Sequence, residues 1–531
     1  MAYINIGNAG FRETRRKEYV DKSGLIAVVN DTLFTKQKYS CVTRCRRFGK
    51  SMAAEMLAAY YDKSCDSRSL FADLKIASDP SFDEHLNKYP VIYLDLSDFV
   101  TRYKNKTSIV KNIDKELQAD IHEAYLDVPI PRGGDLMAYL VRISEKKDEH
   151  FIFIVDEWDA ICREFRNGTP IMDEYLDWMR RMFKGGMSAQ VFAGVYMTGI
   201  LPVKKFKTQS AMNNFMEYSM VSPGDMASFF GFTKDEVRTL AAKHGMDFDD
   251  MEKWYDGYQI GPQPSIFNPN SVMTAIRKKW CESYWGRSAA YDNIADYIHM
   301  NFDGLKDDII NMLAGGRVVV DPAGFRNDLS QIESRDDVLT VLIHLGYLSY
   351  DRVNQECYIP NKEVGGEMEK AVVSKKWTGV TEALLKSRQL LQDTLSGDSE
   401  AVARALDAAH SDDTTILSYN KESSMACVLS LAYYYARNNY FIFREMPTGK
   451  GFADLVLLPR KKVDDPAIFV ELKMDKAVNT AIDQIRTKNY PAKVAEYMAD
   501  HSHATMLLVG ISYDKKEKRH RCAIEHINYG K

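Results

Sequence analysis

The chain has 531 residues, 45% of them apolar and 27% charged, with 70 Lys and Arg against 74 Asp and Glu. That length and balance exclude a disordered chain or a single small domain, and imply three or four domains at ~150 residues each. A net charge of −4 excludes a generic polyanion binder, so any nucleic-acid contact has to come from a local patch.

In chain order, the first stretch, MAYINIGNAGFRETRRKEY, lacks the apolar core of a signal peptide. No apolar run approaches the ~20 residues that cross a bilayer. The eight cysteines, Cys41 to Cys522, contain no C-x-x-C pair, so neither a zinc site nor a disulfide framework is indicated. A reducing cytoplasm is the expected compartment, with no membrane partner.

Four apolar runs read as strands: YSCVT (39–43), VIYLDL (91–96), FIFIVDE (151–157) and VFAGVYMTG (191–199). Helical patterns lie between them, which predicts a parallel sheet covered on both faces, with ligands at the carboxyl ends of its strands. The first run continues as RCRRFGKSMAAEML into a helix. A phosphate loop reads G-x-x-x-x-G-K-[ST], and here Arg44 stands at the first glycine. Gly-Lys-Ser alone is a weak signal, and an ordinary turn with an exposed lysine gives it too. The context strengthens it: a strand before, a helix after, and a strand ending in Asp-Glu downstream. Backbone N–H groups around Gly49 would face phosphates, Lys50 would add a charge, and the Ser51 hydroxyl would reach Mg²⁺. Arg46 and Arg47 would compensate for the missing glycine with positive charge. Asp156 would hold Mg²⁺ and Glu157 would polarise the attacking water. Arg180 and Arg181 are candidate arginine fingers, though an exposed helix face explains them equally well.

After Pro202 the strands are expected to stop, and residues 222–345 read mostly helical, interrupted by WYDGYQIGPQP. A helix at 336–345 and two short strands around Asn354 follow, the pattern of a winged helix. Its hairpin carries Asp351, Arg352 and Glu356 and is not basic, which favours a structural or regulatory element over a DNA reader. A link is expected at 390–412. Beyond it come a helix opened by Glu422, strands FIFREMP and FADLVLLP, a charged loop, strand AIFVELKM, a helix containing Gln484, and strands ATMLLVGISY and HRCAIEHI.

Alternation places Glu471 and Lys473 on one face of their strand, with Asp454 on the strand beside them. Two carboxylates and a lysine at one sheet edge bind Mg²⁺ and hold a water against a phosphodiester. Glu-x-Lys in an exposed strand is commonplace, and the order of elements is what lifts it. PRKK (459–462) and KKEKRHR (515–521) are candidate phosphate contacts, a solvated loop being their commoner meaning.

The stretches KEYVDKSGLI, RRFGKSM, VDEWDA, TGILPVKKFKTQSAMNNF, WYDGY and LIHLGYLSYD together resemble the bacterial AAA-ATPase-like family. The C-terminal part resembles the PD-(D/E)xK nuclease domain that such proteins usually carry. The family itself has the arginine-rich loop, with proline often at the position of Cys45. The resemblance implies an α/β multidomain chain: a P-loop NTPase domain at 1–221, a helical and winged-helix region at 222–395, and a restriction-endonuclease-like domain at 396–531. It assigns Lys50, Ser51, Asp156 and Glu157 to ATP and Mg²⁺, and Thr198 to a polar sensor position. Asp454, Glu471 and Lys473 fall to the nuclease, with Asp454 and Glu471 on its metal, and Glu445 and Gln484 match accessory positions. The helix reads QIRTKNY, not the tighter Gln-x-x-x-Tyr of recombination nucleases. The expected activity is nucleotide-controlled cleavage of nucleic acid, DNA favoured, with room for a homo-oligomer. The alternative is a non-catalytic ATP switch whose nuclease-like domain is a binding module.

Overall fold

In the computed structural model, the described residues are all but 1–2, 104–108, 132–133, 166–168, 204–211, 286–293, 301, 303, 327–328, 330–331, 375–377, 410–427, 448–451, 461–462, 464, 488–493, 495–504 and 529–531, with side chains also excepted at 264, 374, 378–383, 445–447 and 452. Two compact units form: Met1–Ala290 with Val319–Gly365, and Tyr291–Val318 with Gly366–Lys531. Among the described residues no helix is long and apolar enough to cross a membrane.

The first unit is built on a parallel sheet of β1 (Tyr39–Thr43), β2 (Val91–Asp95), β3 (Phe151–Asp156), β4 (Phe192–Gly199) and β5 (Met216–Tyr218), in the order β2-β3-β4-β1-β5. Every residue of β1, β3 and β4 is buried. Alternation divides each strand between two cores. Phe151, Phe153 and Val155 enter one with Ile113, Leu117 and Tyr139; Ile152 and Ile154 enter the other with Leu57, Tyr60 and Tyr61. Both faces are therefore covered, which is why these strands read as bare apolar runs.

The expectation that strands stop after Pro202 is corrected. β5 pairs with β1 through Met216, Glu217 and Tyr218. It is a three-residue edge strand with two exposed residues, so it carries no apolar run. The segment WYDGYQIGPQP does interrupt the helices, running from the end of Phe248–Tyr255 toward Pro269–Lys278, and the interruption is not a plain loop. It contains the hairpin of β7 (Tyr258–Ile260) and β8 (Gln263–Phe267), and β8 also pairs with β6 (Phe232–Thr233).

The helix-plus-hairpin pattern is present. Ser334 caps the helix Arg335–Leu345 by accepting the Asp337 N–H, and Gly346 ends it at φ 88°. β10 (Ser349–Asp351) and β11 (Glu356–Tyr358) pair antiparallel, with β9 (Val318–Val319) as a third short strand. Gly346 lies directly against the segment after β1: a Cβ on it would stand 2.6 Å from Cys45 Cβ, 2.8 Å from Cys45 Sγ and 2.9 Å from the Trp285 ring.

The second unit holds a mixed sheet, β12 (Tyr440–Pro447), β13 (Phe452–Pro459), β14 (Ala467–Met474), β15 (Thr505–Asp514) and β16 (Arg519–Asn528), in sequential order. β14 and β15 run parallel and the other neighbours antiparallel. Much of 390–412, expected as a link, is helical, in Thr378–Ser396 and Ser399–Ala409. Val402, Leu406 and Ala409 are buried, and Asp407 accepts the His520 backbone N–H at 2.8 Å.

Gly346 supplies a test of the packing behind the loop. Gly346→Ala combines a left-handed backbone with overpacking, so it should lower stability by roughly 2–4 kcal/mol. Adding Cys45→Ala should restore little of it, because the atom the new methyl meets first is Cys45 Cβ, which alanine keeps. Equal melting temperatures for wild type and Gly346→Ala would contradict the packing.

Candidate functional site

The segment after β1 is held from behind. Arg44 has none of its surface exposed. Its guanidinium donates to the carbonyls of Thr43 (2.8 Å), Tyr218 (2.7 Å) and Met226 (3.3 Å) and lies 5.3 Å from the Phe230 ring centroid. Arg44 therefore does not face a phosphate, and its own backbone needs no left-handed geometry. The left-handed positions of the loop are Arg47 (φ 68°) and Gly49 (φ 90°). Arg47 donates to the Tyr284 carbonyl at 3.2 Å, and Arg46 is half-buried. Lys50 is buried, with Nζ 3.2 Å from the Cys45 carbonyl oxygen, and it begins the helix Lys50–Tyr61.

The sheet order brings the carboxyl ends of β1, β4 and β3 side by side, and three of the expected residues meet there. The Thr198 hydroxyl donates to Asp156 Oδ1, and the Ser51 hydroxyl hydrogen-bonds the same carboxylate. The Glu157 backbone N–H reaches Asp156 Oδ1 at 3.1 Å, and Tyr93 OH donates to Oδ2 at 3.3 Å. Burial drives the Asp156 carboxyl above its ordinary range, the Thr198 and Ser51 bonds oppose this, and the charges of Glu157 and Asp95 add to it.

Glu157 has φ 53°. Its carboxylate accepts from Arg163 Nη2, while Arg163 Nε lies 3.2 Å from Asp159 Oδ2. Asp159 is fully buried and accepts the N–H groups of Ile200 (3.1 Å) and Leu201 (2.9 Å). The sequence reading missed Asp159, Arg163 and Tyr93. The signal for the first two was the i,i+4 spacing of opposite charges just past the Asp-Glu strand end. Of the arginine-finger candidates, Arg180 is paired with Asp177 and Arg181 is exposed on the helix Pro170–Phe183.

In the second unit, the β13–β14 ladder runs from Leu457↔Ile468 to Leu455↔Val470. Asp454 and Glu471 are the next pair along. There the Asp454 carboxylate accepts the Leu472 backbone N–H at 2.7 Å, so a side chain makes the bond where the ladder ends. Glu471 is 1% exposed, and its Oε1 lies 2.9 Å from Lys473 Nζ. Alternation along β14 thus does put Glu471 and Lys473 together, while Val470 and Leu472 are buried on the other face. Gln484 Nε2 donates to the same Glu471 oxygen. Gly510, opposite Glu471 on β15, permits this: a Cβ there would stand 2.9 Å from Ile482 and 3.0 Å from the Val478 carbonyl. The missing side chain lets the helix Asn479–Thr487 settle close enough for Gln484 to reach.

Glu445 lies on β12, where its side chain is outside the described residues, as is all of Glu422. Among the described residues no group of three or more His, Cys, Asp and Glu is arranged to hold a metal by itself. Of the basic tracts, Arg460 stacks 4.1 Å over the Phe441 ring, Arg521 pairs with Glu517 at 2.9 Å, and His520 Nδ1 lies 2.6 Å from Asp407.

Comparison with known proteins gives one family match in the N-terminal part of the chain and one in the C-terminal part. Residues 5–208 match the family model described as predicted AAA-ATPase, and residues 421–522 match the PD-(D/E)XK nuclease superfamily. No curated protein matches the chain. Among solved structures, the Orc1 protein of Aeropyrum pernix in complex with DNA aligns at 10% identity over 92% of this chain and 98% of that one, with a TM-score of 0.25. That score is too low to support an argument. The chain carries an AAA-ATPase-like domain in its N-terminal part and a PD-(D/E)XK nuclease superfamily domain in its C-terminal part.

Proposed function

We propose that this chain binds ATP with Mg²⁺ at the phosphate loop and, under control of that nucleotide, hydrolyses nucleic-acid phosphodiesters, DNA first, at its C-terminal domain. The observation that carries the reading is the buried Glu471–Lys473 pair beside Asp454. A buried ion pair is weak in stabilising a fold, because desolvation offsets the attraction. A structural role within these strands would be met as well by apolar side chains. A metal-dependent hydrolytic role needs charged oxygens there, and Lys473 would lower the cost of forming hydroxide beside them.

The residues fit the groups the reading requires. Asp156 offers a buried carboxylate with the Ser51 hydroxyl beside it, hard oxygen donors that suit Mg²⁺. Lys50, Gly49 and the start of the helix Lys50–Tyr61 would face the phosphates, and Thr198 would report on them through Asp156. Asp454 and Glu471 supply the oxygen ligands of the second centre. Mg²⁺ keeps several waters and needs only one or two carboxylates from protein.

Three outcomes follow. Lys50→Ala should remove a charge-assisted phosphate contact worth ~1.5–3 kcal/mol, weakening ATP more than tenfold in calorimetry; unchanged affinity would remove the loop from the reading. Cleavage of single- and double-stranded DNA and RNA with Mg²⁺ should be lost alike in Glu471→Ala, Lys473→Ala and the double variant, because the groups act as a unit. A wild type that cuts nothing under any metal and nucleotide condition would leave the switch reading in its place.

The third concerns Asp156. A carboxyl whose folded pKa is raised binds its proton more tightly in the folded state. Its ionisation therefore destabilises the fold as pH rises from the ordinary carboxylate range, ~4, through the folded value, and fully above it. Without metal or nucleotide, Asp156→Asn should raise the melting temperature at pH 7, with the gain vanishing as pH falls toward 4. A pH-independent or negative change would contradict the assignment of burial as the dominant cause.

A further inference from the structure

The Glu157 carboxylate does not stand open beside Asp156. Arg163 Nη2 donates to it, and the Nε of the same guanidinium faces Asp159 at 3.2 Å. The pair is shielded, the Glu157 and Arg163 side chains being 22% and 13% exposed, so water screens it little. Asp159 in turn is fixed by the N–H groups of Ile200 and Leu201, two and three residues beyond Thr198. A chain of contacts thus runs from the strand end that carries Thr198 to Glu157: hydrogen bonds to Asp159, an ion pair from Asp159 to Arg163 Nε, and a hydrogen bond from Arg163 Nη2 to Glu157.

We propose that Arg163 is a latch on Glu157, a positioning residue that holds its carboxylate in a non-hydrolysing arrangement until the bond is released. The inference rests on the proposed ATP site and on the sequence expectation that Glu157 polarises an attacking water there. In ATP hydrolysis the water oxygen bonds to the γ-phosphorus while the bond from γ-phosphorus to the bridging oxygen breaks, leaving ADP and phosphate. The water's proton passes to Glu157 and then to phosphate or solvent. A carboxylate whose oxygen is occupied by a guanidinium at contact distance takes that proton poorly, because its charge is matched and its lone pair engaged. Arg163 can hold two carboxylates at once only because a guanidinium presents separate nitrogens in a fixed fork. The single ammonium of lysine cannot serve both, and buried Asp159 would have first claim on it.

The test compares Arg163→Lys, Glu157→Gln and the double variant with wild type. It measures ATP hydrolysis, ATP affinity by calorimetry, and melting temperature without nucleotide or metal. The latch predicts a three- to tenfold higher kcat in Arg163→Lys with ATP affinity within twofold. It predicts no turnover in either chain carrying Glu157→Gln. It also predicts non-additive melting shifts, since the two side chains are bonded before any nucleotide arrives. A kcat that falls or stays level with affinity unchanged would overturn it, as would additive melting shifts. If ATP binds but neither wild type nor Arg163→Lys hydrolyses it, the latch fails and the binding site stands. If ATP does not bind to wild type, the site reading fails and takes the latch with it. Should Arg163→Lys not fold, Arg163→Gln, which keeps a neutral donor toward Asp159, replaces it with the same expected direction.

Discussion

The Arg44 guanidinium, buried beneath the turn that follows β1, is the interaction on which the first unit is organised. Burial pulls its pKa down to about 10, so it stays charged at neutral pH. Removing that charge from water is costly, and three carbonyl dipoles and the face of Phe230 are what offset it. Those carbonyls belong to β1, to β5 and to the turn Gly224–Phe229, so one side chain fixes three separate stretches relative to each other. At the first-glycine position of a phosphate loop, glycine would supply backbone freedom. Here the position supplies an anchor, and the unusual backbone angles are displaced to Arg47 and Gly49. The loop is shaped by what packs beneath it.

Both centres use a carboxylate on a strand, held by a backbone N–H: Asp156 ends β3, and Asp454 lies within β13. Asp156 takes the Glu157 N–H and Asp454 the Leu472 N–H. An N–H donor orients a carboxylate without neutralising it, which leaves the negative charge for a cation. The centres differ in how the second carboxylate is treated. Glu471 is paired with Lys473 two residues along the same strand, on one face by β alternation. Glu157 is paired with Arg163 across a turn.

How much of this the sequence disclosed depended on burial. β1, β3 and β4 are covered on both faces, so each is a continuous apolar run, and they were legible. In the second unit β14 and β15 were legible for the same reason, and period-two alternation was enough to join Glu471 to Lys473. β5 was not legible because an edge strand of three residues needs no apolar run. The β7–β8 hairpin was hidden by its own turn residues, Gly261 and Pro262, which read as a break between helices. The anchoring of Arg44 was not legible, because motif position says only which residue replaces the glycine, whereas the direction of its side chain is decided by Phe230 and Met226, far along the chain. Asp159 and Arg163 carried a spacing signal, but an i,i+4 pair on a short helix ordinarily means a solvated face.

The remaining segments that marked the chain as unusual converge on the same loop. Phe48 packs edge-on against Tyr258 of the WYDGY segment at 5.1 Å, and its carbonyl accepts the Gly231 N–H. Tyr258 OH donates to the Gly346 carbonyl, and Gly346 abuts Cys45. Tyr284, whose carbonyl takes Arg47, has its own N–H on Glu363, a buried carboxylate that also binds the Trp285 N–H and Ser271. Through Cys45, Arg47 and Phe48 the six-residue stretch between β1 and Lys50 thus touches the β6-β8-β7 sheet, the helix-plus-hairpin element and the segment before it, all within one unit. Interiors packed to crystal density do not deform continuously. A loop seated in this way can change shape only if Tyr258, Gly346 or Tyr284 gives way with it, so this loop and the elements behind it form one mechanical piece.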